Sequence, residues 1–297
     1  LQVTGLTPNR VGWNGRLPVP GTGQYEWDGF REDLPREFNP DRGYITTANN
    51  NVHPPGYEGR PVFDHSSRGV ETSRITRLHQ IFGSGQPLSV EDHMRIQWDN
   101  YSLGAAADQM AFQGWTSDDP DVEWARSALA DWDAILDRES LAGALYRQWT
   151  RVVDDRAREA GVTMAERQAL AEAGLVGAME ALSESLGPNR EEWRYGRVNT
   201  SALDHIMIDA FDLPTVERPG GGGTVNATGA NFRRIIDLAN PDNSVASNAP
   251  GQSAQPGSPF YDNLVENLGN GEYFPLSYTR EAVEGVAAYR LTLTPGG

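Results

Sequence analysis

Apolar positions change their rhythm along this chain, and the changes divide it. Through about residue 87, short β-type runs such as Gly43-Tyr44-Ile45-Thr46-Thr47-Ala48 alternate with dense turn formers. These include Pro18-Val19-Pro20-Gly21-Thr22-Gly23, Asn39-Pro40-Asp41-Arg42-Gly43 and Pro54-Pro55-Gly56. The pattern predicts loop-rich strand structure anchored by Trp13, Tyr25, Trp27, Phe30 and Tyr44. From Ser89 the rhythm becomes helical. Ser89-Val90-Glu91-Asp92 has the form of a capping box, with an acid three residues after the serine. Ala, Leu, Glu and Arg then dominate. Over residues 128–149, Leu129, Trp132, Ile135, Leu136, Leu141, Leu145 and Trp149 recur at three- and four-residue spacings and predict helix. Gly187-Pro188 ends the last helix of this stretch.

Beyond Trp193 glycine returns, with Gly220 to Gly223 as a hinge or loop. Residues 224–227 and 232–238 have strand character, and an Asn/Ser/Pro/Gly segment follows over 239–258. Residues 289–294, Tyr-Arg-Leu-Thr-Leu-Thr, alternate as a strand does. The expected organisation is a loop-rich strand region at 1–87, a helical region at 88–212, and C-terminal strands and long loops at 213–297. Strands at both ends around a helical middle imply an α+β class.

Composition narrows the function. The 297 residues carry 41 Asp+Glu against 25 Lys+Arg, a net charge of −16, and every Lys+Arg position is arginine. No basic cluster concentrates positive charge, so the chain is not read as a nucleic-acid binder. With no cysteine there is no disulfide, thiolate zinc site or cysteine nucleophile. The longest apolar stretches fall far short of the ~20 residues of a membrane span. The first residues, Leu1 to Leu6, have neither a charged nor an apolar leader region, and they lack an initiator Met. A fragment or a processed chain is the expectation.

Motif chemistry gives little by itself. The five histidines, 53, 65, 79, 93 and 205, form no ligand pair. The glycine run leads to Thr224 and not to a Lys-Ser/Thr pair, so it reads as a loop passing close to another backbone. There is no Gly-x-Ser-x-Gly elbow, and adjacent acids such as Asp118-Asp119 and Glu191-Glu192 read as solvated surface. On residue types alone the chain is a soluble acidic α+β domain.

Several segments in order resemble the penicillin acylase (penicillin amidase) family of N-terminal-nucleophile hydrolases. They are Gly15-Arg16-Leu17-Pro18-Val19-Pro20-Gly21-Thr22-Gly23 with Trp27-Asp28-Gly29, and Asn39-Pro40-Asp41-Arg42-Gly43-Tyr44-Ile45 leading into Ala48-Asn49-Asn50. Gly251-Gln252-Ser253-Ala254-Gln255-Pro256-Gly257-Ser258-Pro259-Phe260-Tyr261-Asp262 and Gly271-Glu272-Tyr273-Phe274-Pro275-Leu276 follow near the other end. Three details depart from the family: Phe260 where many relatives carry His, Ala254 where Gly is frequent, and Asn199 where a segment often ends in His.

The resemblance implies part of a four-layer αββα sandwich with a helical insertion. It also implies a precursor that cuts itself into two chains. In such enzymes the β chain begins with a serine that is nucleophile and, through its own α-amine, general base; an unperturbed α-amine has a pKa of about 8. That serine is absent here. The chain is therefore expected to be the C-terminal portion of a β subunit of an amidase that hydrolyses acyl amides, such as β-lactam side chains or acyl-homoserine lactones. Alone it should hydrolyse nothing. Its expected partners are the missing N-terminal part of the β chain, a smaller α chain and a small acyl-amide substrate. Its expected address is the periplasm or beyond, and no cofactor is needed for catalysis. A non-catalytic stand-alone binding module of the same fold is the alternative.

Two functional positions fall within the chain by resemblance. Asn49, or Asn50 if the register differs by one, would donate its side-chain amide to the oxyanion. Arg74, with Arg77 next, would line the site and orient that Asn. On the residues alone, Asn49-Asn50-Asn51 reads as a turn tolerant of left-handed backbone, and Arg74 as a surface arginine near a helix start. Some members hold a structural calcium; Asp64 is the carboxylate expected to contribute, with Glu58 and Glu71 as alternatives.

Overall fold

The computed structural model describes residues 6–15, 17–34, 36–54, 56–57, 72–153, 163–230 and 232–294. The chain divides into two units, Leu1–Gln86 and Pro87–Gly297. In the first, β1 (Pro8–Arg10) pairs antiparallel with β2 (Trp27–Phe30). Arg10 lies over the rings of Trp13 and Trp27, which meet edge to face at 5.4 Å. Aromatic anchors thus hold a ribbon too short to stand on its ladder. The helix α1 (Ser73–Phe82) follows, capped by Thr72. No strand forms over 43–48. Tyr44 stacks on Phe82 of α1 at 5.3 Å, and side chains hold the Ala48 peptide groups in place of a neighbouring strand.

The second unit opens with α2 (Val90–Gln97), where Ser89 and Asp92 form the reciprocal bonds of a capping box. Next come α3 (Leu103–Asp108), α4 (Pro120–Ala130), α5 (Leu141–Val152), α6 (Met164–Leu186) and α7 (Tyr195–Val198). Asp119, Ser140 and Thr163 cap α4, α5 and α6. The hydrophobic core lies among these helices and includes Phe112, Leu129, Leu145, Trp149, Leu175 and Leu182. Gly174 lies mid-helix because a Cβ there would sit 2.8 Å from Trp149 Nε1. Its propensity cost of about 1 kcal/mol allows α5 and α6 to approach.

The apolar period over 128–149 crosses a break. After α4 ends at Ala130, Asp133 accepts from the Ile135 N–H, and Ala134 adopts a positive φ. Ile135 then bridges Tyr101, and the Leu136 N–H donates to Asn100 C=O. Short polar side chains compete for backbone groups and stop the helix, while Leu136 remains buried by extended pairing.

The remaining strands are short. β3 (Thr200–Leu203) pairs with β4 (Leu213–Glu217). A second antiparallel sheet has the order β5 (Phe232–Ile235), β6 (Val245–Asn248), β7 (Phe274–Pro275), with α8 (Val265–Asn270) between β6 and β7 in sequence and α9 (Arg280–Val286) after β7. Residues 289–294 form no strand. Their alternation lacks a ladder partner among the described residues, and Tyr289, Leu291 and Leu293 are exposed.

Residues 224–227 also form no strand, because they build a buried polar knot. Thr224 and Asn226 are fully buried. The Asn226 N–H donates to Asp99 C=O, Nδ2 donates to Asn100 Oδ1 at 2.7 Å, and Oδ1 accepts from Arg233. Asn199 Nδ2 donates to the carbonyls of Arg218 and Gly220. Buried Arg218 donates to Ser201 Oγ and Ala230 C=O; burial, with Arg233 nearby, lowers its pKa to about 10. Gly220 passes so close that a Cβ would lie 2.1 Å from Asn226 O, at φ +74°. The glycine run is therefore a close-approach loop.

Gly220→Ala should destabilise the protein by more than about 2 kcal/mol, since both backbone strain and a backbone clash oppose it. Urea unfolding of the variant checks this; a change under about 0.5 kcal/mol would contradict the packing described.

Candidate functional site

Asn49 occupies a left-handed backbone position, φ +58°. Asn tolerates this region better than branched residues because its short side chain can hydrogen-bond locally. The neighbouring side chains fix the turn. Asn50 Oδ1 accepts from the Ala48 N–H at 2.9 Å and its Nδ2 donates to Asn51 C=O, while Asn51 Oδ1 accepts from the His53 N–H. Both ends of the Asn50 amide are thereby occupied within the loop. Asn49 is different: its Oδ1 accepts from Arg74 Nη2 at 2.9 Å. Arg74 reaches it from the first turn of α1, whose start is fixed by the Thr72 cap.

This contact decides the orientation of the Asn49 amide. With Oδ1 held by a cation, Nδ2 is turned the other way, and among the described residues it has no partner. The result is a neutral donor on an exposed turn, polarised by a charge-assisted bond at its other end. The structure thus brings Asn49 and Arg74 together. Arg77 lies one turn further along α1. Asp64, Glu58 and Glu71 fall outside the described residues, and among those described no cluster of three or more His, Asp or Glu could hold a metal ion. Among the described histidines, His79 Nδ1 lies 3.2 Å from Tyr44 Oη, His205 Nδ1 accepts from the N–H groups of Met207 and Ile208, and the His53 ring lies 4.5 Å from that of Tyr57.

Elsewhere in this unit Arg31 grips Asp33 with two bonds, at 2.8 and 2.7 Å, and also donates to Tyr57 Oη. The guanidinium holds the Asp33 carboxyl at about 2, below its ordinary 3.8, while burial lowers the nearby His53. An open hollow of about 530 Å³ beside β1 and β2, lined by residues including Arg10, Asp28 and Arg31, includes neither Asn49 nor Arg74.

The local sequence around Asn226 and Arg218 carries no mark of the buried knot they form. Nothing in the local pattern distinguishes an Asn that satisfies three backbone or side-chain groups from one in a solvated turn.

The family model described as penicillin amidase matches residues 1–285. The chain is 24% identical to the acyl-homoserine lactone acylase QuiP of Pseudomonas aeruginosa, covering 99% of this chain and 45% of that protein. It is 27% identical to the penicillin acylase 2 proenzyme of Pseudomonas sp. strain SE83, covering 99% of this chain and 44% of that protein. The chain spans under half the length of these curated relatives. The alignment to the first runs over 383 positions against 297 residues here, so that relative carries extra segments inside the matched region. Among solved structures, a thermostable penicillin G acylase from Alcaligenes faecalis matches with TM-score 0.55 and 16% identity, over 98% of this chain and 64% of that one. That likeness establishes the fold: α+β, of the N-terminal-nucleophile hydrolase type. Among the described residues no helix is long and apolar enough to cross a membrane.

Two outcomes follow from the geometry. Asn49→Gly should leave stability within about 0.5 kcal/mol, because glycine accepts the left-handed backbone, whereas Asn49→Val should cost about 1–2 kcal/mol. Equal losses in denaturant titrations would contradict the assigned backbone. For Asp33, a folded pKa depressed below 3.8 supports the fold above that pH, and this support is lost as pH falls through about 2. A carbon-13 titration should find the Asp33 midpoint near 2, and Arg31→Met should return it toward 3.8; a native midpoint already near 3.8 would contradict the paired geometry.

Proposed function

This chain belongs to the penicillin amidase family, and on that premise we propose that it is the C-terminal part of an amidohydrolase that cleaves acyl amides. The observation that carries this reading is the Arg74 to Asn49 contact at 2.9 Å, which leaves a neutral amide donor directed away from its anchor. The nucleophile in this reading is an N-terminal serine on a part of the protein outside this chain, with its α-amine as base. The serine hydroxyl attacks the amide carbonyl, the α-amine takes its proton, and the carbonyl oxygen becomes an oxyanion. Asn49 Nδ2 donates to that oxyanion. Collapse of the tetrahedral intermediate expels the amine, which leaves with the proton, and water then releases the carboxylic acid by the same route.

An amide suits this role because it needs no titration and carries its donor hydrogens at every working pH. Arg74 strengthens the donor by withdrawing electron density through Oδ1 and fixes its direction. The chemistry needs no cofactor. A structural calcium with Asp64 among its ligands is a separate expectation and enters no step. The proposed partners are the remaining N-terminal part of the same β chain and a smaller α chain. The proposed address is periplasmic or secreted, and the precursor is proposed to process itself. The proposed substrates are linear acyl amides, with acyl-homoserine lactones and the side-chain amide of β-lactams as the two kinds that the relatives' names suggest.

The test uses the full-length protein, purified after any processing, with an acyl-homoserine lactone and a chromogenic acyl anilide. The wild type should hydrolyse at least one, and Asn49→Gly should lower kcat by about 10²–10³ without unfolding the protein. A wild type that cleaves neither, or a variant with full activity, would overturn the reading.

A further inference from the structure

One hydroxyl touches both segments that carry the Asn49–Arg74 pair. Thr72 Oγ1 donates to Ala48 C=O at 3.2 Å and accepts from the Ile75 N–H at 3.3 Å. A hydroxyl can do both, since it has one donor hydrogen and two lone pairs. The first bond ends on the peptide that enters Asn49; the second starts the helix that carries Arg74. Ala48 is thereby held at both of its backbone groups, because its N–H already donates to Asn50 Oδ1. Thr72 is itself fixed: its C=O accepts from the Thr76 N–H at 3.1 Å and from Thr76 Oγ1 at 3.2 Å.

The consequence is geometric. Holding Ala48 C=O fixes the plane of the 48–49 peptide, and the left-handed φ of Asn49 is a rotation measured from that plane. Capping α1 fixes where the helix begins, hence the point from which the Arg74 side chain extends. The separation between the turn and the helix start is set by a single atom.

We propose that Thr72 is a positioning residue for the amide hydrolysis, its hydroxyl setting the register between the 48–50 turn and α1 so that Arg74 meets Asn49 Oδ1 and Nδ2 faces the oxyanion. This rests on the function proposed above. The role needs a donor and an acceptor on one short side chain. Serine retains both, valine has neither, and an ionised aspartate can cap the helix but cannot donate to Ala48.

The experiment uses full-length protein carrying Thr72→Val, Thr72→Ser or Thr72→Asp, with rates per active site counted from the acyl-enzyme burst. Thr72→Val should lower kcat by about 10–100-fold, the scale of an ångström misplacement, with KM within about twofold. Thr72→Ser should stay within about threefold of wild type. Thr72→Asp should behave as Thr72→Val does while its helix cap survives, and it replaces that variant if Thr72→Val does not fold. A purely structural role would lower melting temperature or the number of active sites and leave kcat per site unchanged, which would overturn the proposal. Crystal structures of the variants supply a readout independent of activity: the Asn49 Oδ1 to Arg74 Nη2 separation should open beyond 3.5 Å. A contact kept at 2.9 Å would overturn the proposal. If the wild type cleaves no acyl amide, the function reading fails by itself, and the same crystallographic distance still decides whether Thr72 sets the pair.

Discussion

Buried and turn-forming peptide groups need hydrogen-bond partners, and in this chain side chains supply many of them. The described strands run from two to five residues, too short for ladders to satisfy the long connections. Asn, Thr and Arg take over. Asn226 joins the Asp99 carbonyl, Asn100 and Arg233; Asn199 takes two carbonyls; Thr224 bonds the Gly221 and Asn226 backbones. Removing one partner from such a knot strands a desolvated group, at a cost of about 1–3 kcal/mol. Buried Arg218 lies among neutral acceptors, which explains why burial lowers its pKa.

The same device builds the candidate site in the first unit. Asn50, Asn51 and Thr72 tie down a turn that no strand supports, and Arg74 ties the side chain that the turn presents. A loop can hold a catalytic group in place only if its own polar groups are satisfied. Here they are satisfied by residues one or two positions away and by the N-cap of one helix. The left-handed backbone of Asn49 points its side chain out of the turn, and the guanidinium then selects which end of the amide faces outward. Conformation and chemistry meet in one residue type.

Local signals survive folding where they are locally satisfied. The capping box at Ser89, the helix end at Leu186, the strand beginning at Phe232 and the close approach at Gly220 were all legible, because each is set by a few neighbouring residues. Alternation at 289–294 was misleading because a strand needs a partner that periodicity cannot name. The helical period at 128–149 was misleading because Asp133 and the pairing with residues 100–102 break the chain without disturbing the spacing of its apolar residues. The pairing of Asn49 with Arg74 was expected only through ordered family motifs. A triplet of asparagines shows a turn, but which of them presents its amide depends on Thr72 and Arg74, more than twenty residues away in sequence.

Whether the Asn49 amide meets the oxyanion, as proposed, is tested by a crystal structure of the full-length protein with a tetrahedral transition-state analogue on its nucleophile. The proposed role of Asn49 requires its Nδ2 to lie about 2.7–3.1 Å from the analogue's oxyanion, with Oδ1 still held by Arg74. An oxyanion bound by other donors, with the Asn49 amide facing solvent, would contradict it.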